Sequence, residues 1–282
     1  MEFVTAAGGA VSRIGQGTWY LGENPSAFAR ERAALRTGLD RGLNLIDTAE
    51  MYGSGDSERL VKEAIKPYDR EKLFLIDKVL PQNANRQRME ASLDASLEKT
   101  GADYFDLYLY HWRGNTPLAE TVSELARLKL TGKIKHWGVS NFDFEDLQEL
   151  WQLPNGQDCA ANEDLYNMAD RGIEFDVIPW QKRVGMPLIA YSPIAQGDTL
   201  GQNLTENPVV KLIAKAHKVT AFQVMLAWVI RHSGVLAISQ TGNPAHAREN
   251  MAAGDLEFTD QELRLLEDEF PKPIHKQPLQ MI

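Results

Sequence analysis

Short apolar runs rich in β-branched and aromatic residues alternate along the chain with segments whose apolar residues recur every three to four positions. Such alternation predicts parallel strands joined by amphipathic crossover helices. Eight units of this kind fit one closed (β/α)8 TIM barrel, an α/β fold of roughly 250 residues, so we expect a single domain over residues 1–282. The predicted strands are residues 14–17, 43–46, 73–77, 105–109, 134–139, 159–162, 187–191 and 235–238.

Start and stop signals bound several of the intervening helices. One apolar stripe ends at Pro67, because proline disrupts a helix, and a second is closed by Gly101, because glycine is favoured at the end of a helix. Pro117 opens a third helix, which Gly132 ends. These boundaries place one helix after each of three consecutive predicted strands.

The two ends of the chain predict additions to the barrel. Asn243-Pro244 forms an N-cap followed by a first helical residue, and Thr259 with Glu262 forms a capping box. We therefore expect extra C-terminal helices after the eighth strand, and an N-terminal β-hairpin before the first one.

The charge balance narrows the range of partners. Lys and Arg number 30 against 39 Asp and Glu, which gives a net charge of −9 and predicts no nucleic-acid or anionic-membrane partner. The apolar run Val224–Ile230 falls far short of the roughly 20 residues that span a bilayer. A single Cys159 and a start without a signal peptide favour a cytoplasmic location. We expect a monomer or weak oligomer.

Polar residues follow the ends of consecutive predicted strands. In a TIM barrel the carboxyl ends of the strands form the active face, so these residues should share one cavity. They are, in chain order, Asp47-Thr48-Ala49-Glu50-Met51-Tyr52, Lys78, His111-Trp112, Ser140-Asn141, Asn162-Glu163 and Tyr191-Ser192-Pro193.

Each of these residues also has a purely structural interpretation. Asp47 or Thr48 could cap the next helix, Lys78 could extend to solvent, and His111 could be a core histidine bonded to a carbonyl. The aromatic residues could be rim packing. No cluster of His, Cys and carboxylate residues predicts a metal site.

The combination of Asp, Tyr, Lys and His at one barrel mouth favours proton-transfer chemistry. A tyrosine with its ordinary pKa near 10 carries a proton at neutral pH that it can donate to a developing alkoxide. A nearby ammonium would lower the pKa of the phenol by about one to three units, and an aspartate would keep that ammonium charged. Histidine would orient the carbonyl oxygen.

The glycine pattern excludes a Rossmann fold. Gly15 and Gly17 are followed by Tyr20 where the third glycine of the dinucleotide fingerprint should stand. Gly53 and Gly55 are followed by Glu58 in the same way.

At the level of whole motifs, the sequence resembles the aldo-keto reductase family over essentially its full length, and within it the bacterial branch that includes methylglyoxal reductases. The motifs occur in the family's order. They are Gly15-Gln16-Gly17-Thr18-Trp19, Asp47-Thr48-Ala49 with Tyr52, Lys78 after an apolar run, Leu107 to Trp112, Gly138-Val139-Ser140-Asn141-Phe142 and Ala190-Tyr191-Ser192-Pro193.

The resemblance implies reduction of small aldehydes or ketones, with methylglyoxal-like dicarbonyls among them, by hydride transfer from a nicotinamide cofactor. It assigns the catalytic tetrad to Asp47, Tyr52, Lys78 and His111, with Tyr52 as the general acid. The substrate pocket would be lined by Trp19, Tyr52, His111 and Trp112. Two other classes stay open at this point: a nicotinamide-binding regulatory module with little turnover, and a barrel sugar hydrolase. The hydrolase would need two carboxylates about 5 to 10 Å apart, but the ends of predicted strands four and seven carry His111-Trp112 and Tyr191-Ser192.

The same resemblance implies which residues hold an extended cofactor. Tyr191 would stack on the nicotinamide, Ser140 and Asn141 would bond its carboxamide, and Thr18 and Asp47 would lie by the ribose. The pyrophosphate would follow the segment Ser192 to Gln196, which includes Ile194. At the adenosine end stand Gln240, Thr241, His246, Glu249 and Asn250.

Two departures from the family pattern concern this cofactor. Glu163 stands where the family usually has a glutamine for the carboxamide, and an ionised Glu163 accepts hydrogen bonds without donating them. Gln240 and His246 replace a lysine and an arginine that bind the 2′-phosphate, although Arg248 could reach it. These replacements weaken discrimination in favour of the phosphorylated cofactor, but we still expect NADPH, with NADH as the alternative.

Overall fold

The computed structural model describes residues 3–199 and 203–282, so residues 1–2 and 200–202 of the predicted domain lie outside the described residues. Eight of its ten strands form a closed barrel, which confirms the predicted fold class. The strands are β1 (Phe3–Ala6), β2 (Gly9–Ser12), β3 (Ile14–Gly17), β4 (Leu45–Asp47), β5 (Phe74–Val79), β6 (Phe105–Tyr110), β7 (Ile134–Ser140), β8 (Asn162–Leu165), β9 (Leu188–Tyr191) and β10 (Val235–Gln240).

Helices connect consecutive barrel strands, as the alternation predicts. They are α1 (Phe28–Leu39), α2 (Asp56–Ile65), α3 (Met89–Thr100), α4 (Leu118–Leu130), α5 (Phe144–Gln152), α6 (Val177–Val184), the short α7 (Ala195–Asp198), α8 (Pro208–His217), α9 (Ala221–Val229), α10 (Pro244–Ala252) and α11 (Asp260–Glu269).

The barrel is entirely parallel, with the strand order β10-β3-β4-β5-β6-β7-β8-β9. Its strands are covered on both faces, because the lumen is filled by side chains and the helices pack outside. β5 and β6 are buried along their whole length. The apolar lumen core is formed by Val11, Leu45, Phe74, Ile76, Leu107, Leu109, Ala161, Ile189, Leu236 and Ile238.

The predicted N-terminal hairpin is present as the antiparallel pair β1–β2. Its turn is formed by Ala7 and Gly8, whose φ angles of 45° and 73° suit a tight two-residue turn. Val11 of β2 belongs to the lumen core, so the hairpin closes the amino-terminal end of the barrel. The functional cleft is thereby left to the opposite end.

The prediction for the sixth barrel strand was wrong by three residues, because β8 covers Asn162–Leu165 rather than residues 159–162. Its pairing with β9 begins at Asn162 opposite Leu188. The apolar pattern misplaced the strand because Asn162, Glu163 and Asp164 are polar yet buried. Polar residues inside strands also explain why Asp47 and Lys78 lie within β4 and β5 rather than after them.

Both C-terminal helix caps are confirmed. The Asn243 side chain accepts a hydrogen bond from the backbone of Ala245 at 2.9 Å, and Thr259 with Glu262 forms the expected capping box. The role of α10 differs from the prediction, since it packs between α1 and α9 as the eighth helix of the barrel. The additional helices are the short α7 and α8, which both lie between β9 and α9, and α11, which packs against α8.

Among the helices of residues 3–199 and 203–282, none combines the length and the apolar character needed to cross a bilayer.

Candidate active site

A cleft of about 940 Å³ opens at the carboxyl ends of the barrel strands. All of the predicted catalytic, cofactor and substrate residues line it except Lys78, which lies beneath its floor. The structure therefore brings together side chains from positions 18 to 250, as the strand-end argument predicts.

Lys78 is fully buried and pairs with Asp47 below the cleft. Its Nζ lies 2.6 Å from each carboxylate oxygen of Asp47 and 3.2 Å from the carbonyl oxygen of Thr48. Side chains of adjacent parallel strands at matching heights face each other in a barrel lumen, and β4 pairs directly with β5. Asp47 is opposite Ile76 in this register, so Lys78, two residues further along β5, lies on the same face and reaches back to Asp47.

Tyr52 is held over this pair by the turn that follows β4. Its backbone N–H donates to Ala49 at 3.0 Å, and Gly53 and Ser54 then take φ angles of 55° and 54°, which turn the chain back into α2. The Lys78 Nζ lies 3.3 Å from the Tyr52 hydroxyl. Tyr52 is only 8% exposed, so its phenol faces the cleft from a protected position.

The ring of His111 faces Tyr52 edge-on, with centroids 5.9 Å apart. His111 is buried, and its Nδ1 has no hydrogen-bond partner among the described residues. Burial, and then the positive charge of Lys78, lower the pKa of His111 to about 2. The imidazole is therefore neutral and can donate one N–H to an oxygen atom placed in the cleft.

Burial and neighbouring charges together set the pKa values of Lys78 and Tyr52. Burial alone would lower the pKa of the Lys78 ammonium, but contacts led by the negative charge of Asp47 outweigh this effect and raise it. Burial raises the pKa of Tyr52 above its ordinary value, and Lys78 opposes that rise. The expected lowering by the ammonium thus exists, but burial exceeds it.

Ser140, Asn141 and Tyr191 form a hydrogen-bonded group on the neighbouring wall. The Tyr191 hydroxyl donates to Asn141 Oδ1 at 2.8 Å, and Asn141 Nδ2 donates to the carbonyl oxygen of His111 at 3.0 Å. The Ser140 hydroxyl donates to the carbonyl oxygen of Glu163 at 2.8 Å. Asn141 has a φ of 59°, a strained conformation of the kind found at binding sites.

The backbone after β9 shows the same kind of strain. Ser192, Ala195 and Gln196 have φ angles of 49°, 47° and 53°, although none of them is glycine. These residues cover the segment that the family resemblance places along a pyrophosphate. Left-handed turns of this kind direct backbone N–H groups to one side, which suits an anion.

The far end of the cleft is more open. Gln240, His246 and Glu249 are exposed there, and Thr241 is half-buried. Asn250 is 8% exposed and donates to Ser239 at 3.2 Å. Arg248 does not line the cleft, so none of the described residues that line this end is a lysine or arginine.

Several cleft residues escaped the sequence analysis. Tyr20 stacks on Trp19 with ring centroids 4.6 Å apart, and it adopts a φ of 63°. Phe222 and Met281 also contribute to the walls. No polar motif marks these residues, and only the fold brings residues 222 and 281 to this face. The position of Tyr20 next to Trp19 was the one sequence signal that could have identified any of these residues as part of the cleft.

The donor set fits a ligand with polar and aromatic parts. His111 Nδ1 and Glu163 Oε2 are buried atoms without a partner among the described residues, and both side chains line the cleft. Buried polar atoms normally have a hydrogen-bond partner, so this pair marks where a ligand would supply one. Among the described residues, no group of His, Cys, Asp or Glu could hold a metal ion.

Comparison with known proteins finds similar sequences over most of the chain. A family model described as the Aldo/keto reductase family matches residues 13–268. Methylglyoxal reductase YeaE of Escherichia coli is 48% identical over 269 residues, which cover 95% of this chain and 94% of the relative. An NADH-specific methylglyoxal reductase of the same bacterium is 29% identical and covers 92% of this chain and 94% of its own.

A solved structure extends the comparison to three dimensions. The crystal structure of an aldo/keto reductase from Klebsiella pneumoniae in complex with NADP and acetate superposes with a TM-score of 0.98. Its sequence is 43% identical, and the match covers 100% of this chain and 99% of that one. The whole barrel and its loops therefore share one architecture with a cofactor-bound relative.

Proposed function

The chain belongs to the aldo/keto reductase family, and from that premise we propose that it reduces small aldehydes and ketones to alcohols with a reduced nicotinamide cofactor. The observation that carries this proposal is the Tyr52 hydroxyl held 3.3 Å from the buried Lys78 at the floor of the cleft. A phenol in this position can protonate a carbonyl oxygen without help from solvent.

The bound cofactor would supply the hydride to the carbonyl carbon. Tyr52 donates its proton to the carbonyl oxygen, and Lys78 stabilises the phenolate that remains. Asp47 keeps Lys78 charged by contacting it with both carboxylate oxygens. His111, neutral and edge-on to Tyr52, donates a hydrogen bond that orients the carbonyl oxygen. Holding these groups in place removes much of the entropy cost of the encounter.

We assign the nicotinamide to the wall formed by Ser140, Asn141, Glu163 and Tyr191. The ring of Tyr191 offers a planar face for stacking, and the polar side chains offer partners for a carboxamide. We assign Thr18 and Asp47 to the ribose; the Thr18 hydroxyl donates to the carbonyl oxygen of Asp47 at 3.0 Å, which holds the two residues together. The segment Ser192 to Gln196, with Ile194, follows the pyrophosphate.

We propose NADPH as the cofactor at the adenosine end, with NADH as the alternative. Thr241 and Asn250 can hydrogen-bond a ribose phosphate or adenine, and His246 and Gln240 border the same opening. The relative crystallised with NADP favours NADPH, while the NADH-specific relative shows that cofactor choice varies within the family.

For the substrate we propose small, reactive dicarbonyls of the methylglyoxal type. Trp19 and Trp112 narrow the cleft beside Tyr52, and the ring centroids of Trp19 and Tyr52 are 6.1 Å apart. Relatives named methylglyoxal reductase and glyoxal reductase support the same class. A cytoplasmic setting and a monomeric or weakly oligomeric state stay predictions.

A turnover assay tests the proposal. We expect methylglyoxal to drive oxidation of NADPH, measured by loss of nicotinamide absorbance, with saturation in both substrates. A panel of simple aldehydes and a sugar aldehyde would rank the substrates. If either reduced cofactor binds but no carbonyl compound oxidises it, the chain is the binding module without turnover.

A further inference from the structure

Two buried carboxyl groups share one ammonium group beneath the cleft. Lys78 Nζ contacts Asp47 at 2.6 Å and Glu163 Oε1 at 3.4 Å, and these three side chains are at most 3% exposed. Asp47 makes both of the short contacts to the ammonium, while Glu163 makes only the longer one. Solvent therefore cannot compensate a second negative charge here.

The charge balance around Glu163 does not favour an ionised form. One cation neutralises one carboxylate, and Asp47 holds that cation through both of its oxygens. Burial, and then the negative charge of Asp47, raise the pKa of Glu163 well above its ordinary value; Lys78 opposes the rise, and a hydrogen bond between the Glu163 and Asp47 side chains adds to it. The titratable groups that surround this site are Asp47 from β4, Tyr52 from the turn after it, Lys78 from β5, His111 from the end of β6, and Tyr191 from β9.

The Glu163 side chain is oriented so that a protonated carboxyl group can donate a hydrogen bond to a ligand in the cleft. Its Oε2 has no partner among the described residues, while its backbone carbonyl is bonded to Ser140. The side chain lines the cleft between Ser140 and Tyr191, on the wall assigned above to the nicotinamide. A carboxylic acid both donates and accepts a hydrogen bond, and a carboxamide requires one partner of each kind.

We propose that Glu163 binds the nicotinamide carboxamide as a neutral carboxylic acid, so that affinity for the nicotinamide half of the cofactor depends on pH. This inference rests on the proposed function. The loss of one proton at high pH replaces an O–H donor by a carboxylate, which repels the carboxamide oxygen and adds an uncompensated buried charge.

The sign of the effect follows directly. Protonated Glu163 binds the carboxamide, so cofactor affinity is highest at low pH and falls as pH rises through the titration of this group. The oxidised cofactor carries a positive ring, which an ionised Glu163 attracts. The affinity for NADP⁺ should therefore fall less than the affinity for NADPH.

The test measures dissociation constants by fluorescence quenching between pH 6 and pH 9.5. In the wild-type protein we expect the dissociation constant of NADPH to rise about tenfold for each pH unit above the Glu163 titration, which is the limiting slope for one proton. The variant Glu163→Gln, which always carries a donor and an acceptor, should bind NADPH with little change over the same range.

The probe 2′,5′-ADP provides the matched control. It carries the adenosine half and the 2′-phosphate of NADPH but no nicotinamide. Titration of the 2′-phosphate therefore changes the dissociation constants of 2′,5′-ADP and NADPH equally. We expect wild type and Glu163→Gln to bind 2′,5′-ADP identically at each pH. Binding of this probe also shows that the variant is folded.

Three results separate the possible failures. If wild type and Glu163→Gln show the same pH dependence for NADPH relative to 2′,5′-ADP, the inference about Glu163 is wrong and the proposed function stands. If neither NADPH nor NADH binds the wild-type protein at any pH, the proposed function itself fails. If the variant does not fold, the wild-type protein alone decides the question. A wild-type dissociation constant for NADPH that stays constant from pH 6 to pH 9.5 overturns the inference.

Infrared difference spectroscopy gives a readout that needs no cofactor. The spectrum of wild type minus Glu163→Gln at neutral pH should contain the carbonyl stretch of a protonated carboxylic acid, which is lost as pH rises. A carboxylate band in its place at neutral pH contradicts the inference.

Discussion

The two ends of the cleft are built differently. Around Tyr52, Lys78 is fully buried and meets Asp47 at 2.6 Å, while at the other end Gln240, His246 and Glu249 are open to solvent. Charges interact strongly at the first end because the surroundings are poorly polarisable. At the second end water screens the contacts of these exposed side chains, so each of them contributes less.

This contrast separates chemistry from recognition. The buried end controls where protons reside, and a single altered group there leaves an uncompensated charge or an unpaired donor. The exposed end adjusts affinity and cofactor preference in smaller steps. Variants at the two ends should therefore differ both in size and in kind of effect.

The largest effect is expected for Tyr52→Phe. Removing the hydroxyl deletes the proposed proton donor, and general acid catalysis contributes about 10²- to 10⁴-fold, so kcat for methylglyoxal reduction should fall by that factor. Cofactor affinity should change little. Steady-state kinetics and NADPH titration measure the two quantities.

A matched control for this variant is Tyr68→Phe. It deletes a phenol hydroxyl that bonds Asp40 on the outer surface, far from the cleft, and should leave kcat unchanged. Retained turnover in Tyr52→Phe would remove Tyr52 from the acid role and break the distinction between the two ends.

A smaller effect is expected in the pH dependence of stability. The pKa of His111 falls from 6.5 to about 2 in the folded protein, so the unfolded chain binds the extra proton. His111 therefore makes its full contribution to the free energy of unfolding above pH 6.5, and this contribution is lost as the pH falls toward 2. The part due to His111 should amount to about 2 kcal/mol between pH 7 and pH 5.

Urea denaturation of His111→Gln at these two pH values measures that part. The variant should lose less stability than wild type on acidification. His246→Gln, at the exposed end, is the control, because solvent reaches its ring in the folded protein. An equal loss in wild type and His111→Gln would show that the His111 imidazole is protonated in the folded state.

The smallest effect is expected for Gln240→Lys. A cation at this position would contact a 2′-phosphate and improve the affinity for NADPH relative to NADH by about 1 kcal/mol, at the low end for charged hydrogen bonds because the site is exposed. Dissociation constants of both cofactors at two salt concentrations measure the change.

The variant Gln240→Met supplies length without charge and should leave the NADPH-to-NADH ratio unchanged. The gain from lysine should also shrink as salt is added, because exposed charges are screened. If the lysine variant keeps the wild-type ratio, the 2′-phosphate lies elsewhere in the cleft.

Much of this architecture follows from local pattern. The strands 14–17 and 105–109 and the caps at Asn243 and Thr259 were predicted closely, because apolar periodicity and capping side chains act over a few residues. The position of β8 was not predicted closely, because Asn162, Glu163 and Asp164 are buried polar residues that a hydrophobic pattern assigns to a loop.

By itself, the sequence determined the barrel, the family and the set of side chains at the strand ends, since each depends on short motifs in a fixed order. Only the tertiary structure decided how those side chains share their charges. It placed Glu163 3.4 Å from Lys78 and left its second oxygen without a described partner. That arrangement depends on the register of strands far apart in the chain and on the exclusion of water, neither of which a local pattern contains.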